Sequence, residues 1–191
     1  ESATSLMVEW SSDRDGVLFT GAPDSVGFTT FSSDALTIGT HTITLSVTDS
    51  LGLFTVDVAV FRVNGLPTTP VVRITPEDAY TTNTLGVVID TPSVDPEGDP
   101  IVYHYEWFLG PLSLVSTSST VSPDLTTKDQ NWQVRVTPDD GHGTGEGALA
   151  SRTILNTPPT ITDADIGPIP VYTDDIATSM FTVFDPDEED V

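Results

Sequence analysis

Carboxylates are the side chains of this sequence that both carry chemistry and recur in a pattern. Asp95-Pro96-Glu97-Gly98-Asp99 returns as Asp185-Pro186-Asp187-Glu188-Glu189-Asp190, and Val47-Thr48-Asp49-Ser50-Leu51-Gly52 returns as Val136-Thr137-Pro138-Asp139-Asp140-Gly141. Oxygen donors at this density, supplied by carboxylates rather than by Cys or His, suit a hard cation, and Ca²⁺ rather than zinc. Four or five carboxylates gathered within about 10 Å repel one another, so such a cluster is costly unless a cation fills it. Neither loop fits an EF-hand, because the required Gly and distal Glu are missing. The plain alternative is that Asp-Pro and Asp-Gly are good turn formers on a solvated surface.

Other chemistries find no support. The chain lacks Cys, which removes disulfides, thiol catalysis and Cys-based zinc sites together. His41, His104 and His142 are widely separated, and neither a His-Glu-x-x-His pattern nor a nucleophile elbow occurs. No Ser lies in a motif that would activate it, so the segment is not expected to be an enzyme. Gly141-His142-Gly143-Thr144-Gly145-Glu146-Gly147 lacks the P-loop Lys and precedes a strand, and it is read as a hairpin loop. Glu77, Asp78, Asp174, Asp175, Asp13, Asp15, Asp34 and Asp124 are expected at the opposite pole and are read as turn caps, the alternative being that they complete an interdomain site from the neighbouring module.

Charge narrows the partners. Among 191 residues, Lys plus Arg is 6 against 29 Asp plus Glu, a formal net charge of -23. Nucleic acid, which is held through Lys and Arg on phosphate, is excluded, as is an anionic membrane surface. Leu53 to Val63 is too short and interrupted to span a bilayer, so no membrane insertion is expected. No signal peptide, lipid motif or anchor is visible, and a mature or excised segment is expected.

The elements that must position the acids are strands. In Thr42-Ile43-Thr44-Leu45-Ser46-Val47 every second residue is apolar, and Trp132, Val134 and Val136 follow the same rule. Val102 to Phe108 reads as a further strand, rich in aromatics. Period two bounded by Gly, Pro and Asp clusters means half-buried strands, and many of them at short spacing mean a β-sandwich. Trp10, Trp107 and Trp132 lie in these strands and are expected in the core.

Both acidic pairs, together with Val63-Asn64-Gly65-Leu66-Pro67 against Leu155-Asn156-Thr157-Pro158-Pro159 and Val8-Glu9-Trp10 against Tyr105-Glu106-Trp107, are separated by about 90 residues, one immunoglobulin-like domain. Residues 64–155 read as a complete sandwich, with strands at Val71 to Thr75, Leu85 to Asp90, around Trp107, Trp132 to Thr137 and Gly147 to Ile154. Residues 1–63 begin at the Trp strand and lack the first two strands and the acidic loop. Residues 156–191 hold only those missing pieces, so the expected organisation is two repeats cut in the middle of one.

Val8-Glu9-Trp10-Ser11-Ser12-Asp13-Arg14-Asp15-Gly16 followed by Gly39 to Asp49 resembles the PKD-type immunoglobulin-like repeat. Asn156-Thr157-Pro158-Pro159 and the Asp-Pro-Glu-Gly-Asp loop resemble the linker and calcium loop of the same prokaryotic repeats and of cadherin-like modules. The resemblance covers essentially the whole chain. It implies an all-β fold of tandem sandwiches and an extracellular, multi-repeat bacterial or archaeal surface protein. Trp107-Phe108-Leu109-Gly110 departs from the family's acidic turn, so a role for that turn is confined to alternate repeats.

In a sandwich of this kind the loop between the second and third strands, the last hairpin loop and the incoming linker share one pole. Asp95, Glu97 and Asp99 are therefore expected beside Asp139, Asp140 and Asn64, and Asp185, Asp187, Glu189 and Asp190 beside Asp49 and Asn156, each set a candidate Ca²⁺ site. The expected function is a structural repeat unit of an extracellular fibre, filament or cell-surface array. Its partners would be neighbouring copies of the same repeat, joined head to tail covalently or by strand donation, with calcium stiffening the junctions. The alternative is an adhesin or a spacer of a larger secreted protein or hydrolase.

Overall fold

The computed structural model describes residues 2–110, 114–167, 169–170 and 172–187. It is all-β, with antiparallel sheets and two single-turn 3-10 segments, and divides into two compact units.

The first unit comprises residues 1–67 together with two loops, 94–101 and 139–144. Its sheet holds β1 (Met7–Ser12), β2 (Gly16–Gly21), β3 (Gly39–Thr48) and β4 (Phe54–Val63) in the order β2-β1-β3-β4. The tight β1–β2 turn is closed by Gly16 at φ 74°, a left-handed conformation that an L side chain resists. The registers Trp10 to Leu45, Ser12 to Ile43, Ile43 to Ala59 and His41 to Phe61 place these residues on one face of the sheet.

The second unit holds the larger core. Its strands are β5 (Val71–Thr75), β6 (Leu85–Thr91), β7 (Val102–Leu109), β8 (Leu114–Ser116), β9 (Thr120–Val121), β10 (Asn131–Asp139), β11 (Ala148–Thr153), β12 (Thr160–Gly167) and β13 (Thr178–Phe184). They form a four-stranded sheet β11-β10-β7-β8, a three-stranded sheet β5-β6-β9 and a separate hairpin β12-β13. Read from its other edge, the four-stranded sheet runs β8-β7-β10-β11, the same pattern of neighbours as β2-β1-β3-β4.

Ile74, Leu85 and Val121 from the three-stranded sheet pack on Trp107, Trp132, Val134 and Val136 from the four-stranded one, and all are buried. Trp107 and Trp132 meet edge to face, with ring centroids 6.4 Å apart and planes at 70°. Face-to-face closure of two antiparallel sheets is the β-sandwich expected from the alternation. Strand positions agree closely, β5 falling on Val71–Thr75 and β6 on Leu85–Thr91.

Trp10 departs from the expectation for the three tryptophans. It is only half-buried, because among the described residues its unit holds a single sheet, and its Nε1 donates to Thr29 Oγ1 at 3.3 Å. Among the described residues, the buried hydrophobic side chains of the first unit are Val8 and Ile43 alone, against nine in the second.

A polar clamp stiffens the first unit instead. His41 is fully buried; its Nε2 donates to Thr37 O at 2.6 Å, so Nδ1 is left to accept from Ser12 Oγ at 2.8 Å. Ser12 Oγ in turn accepts from Arg14 N and Asp15 N, and Asp13 Oδ1 accepts from Thr42 N. Thr37 donates N–H and O–H to Asp15, holding its carboxyl below the usual range. The pair resembles a nucleophile and its base, yet both side chains are buried and the hydroxyl is occupied by the turn it caps. His41→Ala is expected to destabilise the first unit by about 2–3 kcal/mol, seen as an earlier urea transition followed by Trp10 fluorescence.

Candidate functional site

The first unit gathers the linker after β4 with both acidic loops, 94–101 and 139–144. Asp95 Oδ1 accepts from Glu97 N and Asp99 N, each at 2.9 Å, which closes the loop on itself. Glu97 then reaches out of the loop, and its Oε1 accepts from Gly65 N at 2.9 Å. Close approach at Gly65 demands glycine: a Cβ there would lie 2.8 Å from Pro96 Cγ.

Asp140 anchors the other side. Its Oδ1 accepts from His142 N at 2.7 Å and Gly143 N at 2.6 Å, and its Oδ2 accepts from Asn64 Nδ2 at 3.0 Å. The Asn64 amide, together with the His142 and Gly143 N–H groups, holds the Asp140 carboxyl down to about 2 although burial opposes ionisation. Asp139 Oδ1 accepts from Gly141 N at 2.7 Å. Asp99 is held by Arg62, whose other guanidinium nitrogen donates to His142 Nε2 at 3.0 Å.

Asp95, Glu97, Asp99, Asp139 and Asp140 thus share one unit with Asn64. The second loop repeats the construction. Asp185 Oδ1 accepts from Asp187 N at 2.9 Å, and Asp187 Oδ2 accepts from Thr157 N at 2.5 Å, as Glu97 does from Gly65 N. Glu189 and Asp190 lie outside the described residues. Asp49, in the other unit, spends its Oδ1 on Leu51 N and Leu53 N at the β3–β4 turn.

Sequence spacing did not reveal where these carboxylates would be spent. Each linker Asn is followed by an N–H that the third residue of an acidic loop captures, a contact spanning about thirty residues. Among the turn-cap candidates, Asp175 Oδ2 accepts from Tyr172 N at 2.8 Å as a cap does, whereas Asp13 and Asp15 instead bond across the first unit to Thr42 and Thr37.

The residues present bear on calcium in two opposed ways. Among the described residues no group of three or more His, Cys, Asp or Glu side chains stands ready to hold a metal ion, and Arg62 already neutralises Asp99. Yet Asn64 Oδ1, Asp95 Oδ2 and Glu97 Oε2 are buried without a hydrogen-bond partner, all around the linker. Orphaned buried oxygens are costly and rare, and three oxygens of this kind are a hard-cation donor set. These oxygens are of the type a hard cation takes, but Asp95, Glu97 and Asp140 do not converge as a metal-holding group, and Asp99 is committed to Arg62.

Together the sheets and linker loops define an all-β protein whose second unit closes as a β-sandwich. No protein-family model matches the sequence, and neither does any curated protein. Solved structures similar to it include domains of titin and two sets of fibronectin-III modules. A crystal structure of a run of titin domains is 12% identical at TM-score 0.43, covering 79% of this chain and 55% of that one. The fibronectin(III)-like modules of Clostridium thermocellum CbhA are 12% identical at TM-score 0.36, covering 81% and 80%. Chicken CNTN1 FN1-FN3 domains are 13% identical at TM-score 0.34, covering 95% and 66%. The chain spans little more than half the length of the titin structure.

Proposed function

We propose that this chain is a structural repeat unit of an extracellular fibre, filament or cell-surface array, built from tandem PKD- or cadherin-like sandwiches. In this reading β1–β4 are one part of a sandwich whose other sheet is of the β12–β13 kind. The observation that carries it is the duplicated loop: Asp95, Glu97 and Gly65 are joined in the same way as Asp185, Asp187 and Thr157, each time after a linker Asn. A binding site for a soluble ligand would not need that clamp twice; a series of identical domain junctions does. The net charge of -23 suits an exposed position in salty water.

Calcium stiffens the junction in this proposal, taking the unpartnered oxygens of Asn64, Asp95 and Glu97. At calcium roughly 100 times a Kd on the order of 10⁻⁴ M, linkage adds about 2.7 kcal/mol to folding. Millimolar Ca²⁺ is expected to raise Tm by several degrees, reversibly with chelator. Asp95→Asn with Glu97→Gln keeps the turn and removes the response. An unchanged Tm in Ca²⁺ would leave the loops as plain caps and remove calcium from the proposal.

A further inference from the structure

The sheet of the first unit carries an apolar face that no second sheet of that unit covers among the described residues. Trp10, Leu18, Phe31, Leu36, Ile43 and Phe61 line a groove of about 240 Å³, which Leu45 and Ala59 extend along the sheet. Ala59 and Phe61 are exposed, and Trp10, Phe31, Leu36 and Leu45 are half-buried. In the second unit the corresponding face, Trp107, Trp132, Val134 and Val136, is sealed completely by β5, β6 and β9.

The edge that should receive a partner is also open. In the second unit β9 pairs with β6 through Leu85 to Val121 and Gly86 to Thr120. The sequence Val121-Ser122-Pro123-Asp124 corresponds to Phe31-Ser32-Ser33-Asp34, and residues 28–33 of the first unit pair with no strand.

A shape that fits both lies in the hairpin. The pairs Ala164 to Phe181 and Ile166 to Ser179 reproduce Val72 to Ile89 and Ile74 to Val87, at one constant offset (Val72 to Ala164, Ile74 to Ile166, Val87 to Ser179, Ile89 to Phe181). Val72, Ile74 and Val87 face the closed core. On the hairpin the matching face, continued by Ile161 and Val183, is apolar, and Ile161, Ile166 and Phe181 are exposed by 57% or more. Its other face carries Asp163, Asp165, Met180 and Thr182, and the apolar face is interrupted by Ser179. A two-stranded hairpin with a bare apolar face is not stable by itself in water.

We infer that the β12–β13 hairpin of a second copy of this chain docks on the β1–β3–β4 face, its β13 pairing with the segment around Thr30 and Phe31 as β6 pairs with β9. The contact is head to tail, so it propagates into open filaments rather than closing a dimer. The inference rests on the repeat reading above and names the partner surface within it.

Complementary variants test it on the full 191-residue chain. Ile166→Asp with Phe181→Asp disables the hairpin; Ala59→Arg with Phe61→Asp disables the groove, and all four side chains are exposed, so each variant keeps its fold. Sedimentation velocity is expected to show wild type forming a concentration-dependent ladder and either variant alone as a monomer, with association weakened at least tenfold. A 1:1 mixture of the two variants is expected to stop at a dimer, with Trp10 emission shifted to the blue. Wild type that stays monomeric, a hairpin variant that polymerises, or a mixture that stays monomeric would each overturn the inference. A monomer whose Trp10 emission reddens in the hairpin variant would show closure within one chain, and overturns it equally. Runs in calcium and in chelator separate the two proposals. Association in both conditions supports the docking whatever calcium does at the junction. Association that needs calcium and persists in the hairpin variant overturns the docking and leaves the calcium junction standing.

Discussion

Trp107→Ala is expected to destabilise the second unit by about 3–5 kcal/mol, the range for removing a fully buried indole. The side chain is 0% exposed, donates Nε1–H to Ser118 O at 2.9 Å and stacks edge-on against Trp132. Its loss opens a cavity between the two sheets, facing Leu85, Ile74 and Val121, and strands the Ser118 carbonyl. Against a usual total of about 5–15 kcal/mol, that brings the unit close to unfolding at body temperature. Trp10→Ala provides the contrast. It occupies the matching strand position but is half-buried, and about half the effect or less is expected. Equal urea-midpoint shifts for the two variants would contradict the asymmetry between a closed and an open sheet face.

Acid is expected to loosen the linker cluster through Asp140. Its carboxyl in the folded chain is held down to about 2, below the ordinary 3.8, chiefly by the Asn64 amide and by two backbone N–H groups. The folded form therefore resists protonation more than the unfolded chain does. Stability from this group is fully present above about pH 4 and is lost as pH falls from there through about 2. Asp140→Asn keeps the shape but replaces one acceptor with a donor facing Asn64 or the His142 and Gly143 N–H groups. At pH 7 the variant is expected to melt at least about 5 °C lower, and the gap to wild type should narrow steadily between pH 4 and pH 2. Thermal melts across that range check it, and a gap independent of pH would remove the carboxylate's charge from the account.

Strand positions were legible because alternation is a local property. Ile43, Leu45 and Val47 could point only to one side, and so could Trp132, Val134 and Val136. What alternation cannot report is whether a second layer covers that side. Trp10 and Trp107 sit in nearly the same local sequence and end with different burial for that reason alone. Turn residues and repeat spacing led to the expectation of acidic loops beside each linker Asn; Glu97 bonds Gly65 N and Asp187 bonds Thr157 N, whereas Asp49 lies in the other unit from Asp185 and Asp187. Their bonding was not legible. The Glu97 reach to Gly65 N and the Arg62 hold on Asp99 join residues more than thirty positions apart, and no periodicity marks them. His41 carried a usable signal that isolation from other histidines obscured: it keeps step with Ile43 and Leu45, which assigns it to the inner face.

The carboxylate clamps at the two linkers also set how the chain would bear tension. A pull along the backbone at Asn64 or Asn156 first loads the N–H of the following residue, and that N–H is tied by Glu97 or Asp187 into a loop closed by its own Asp. Strain therefore enters sideways, across short charge-assisted bonds, before it can peel β5 or β12 from its edge.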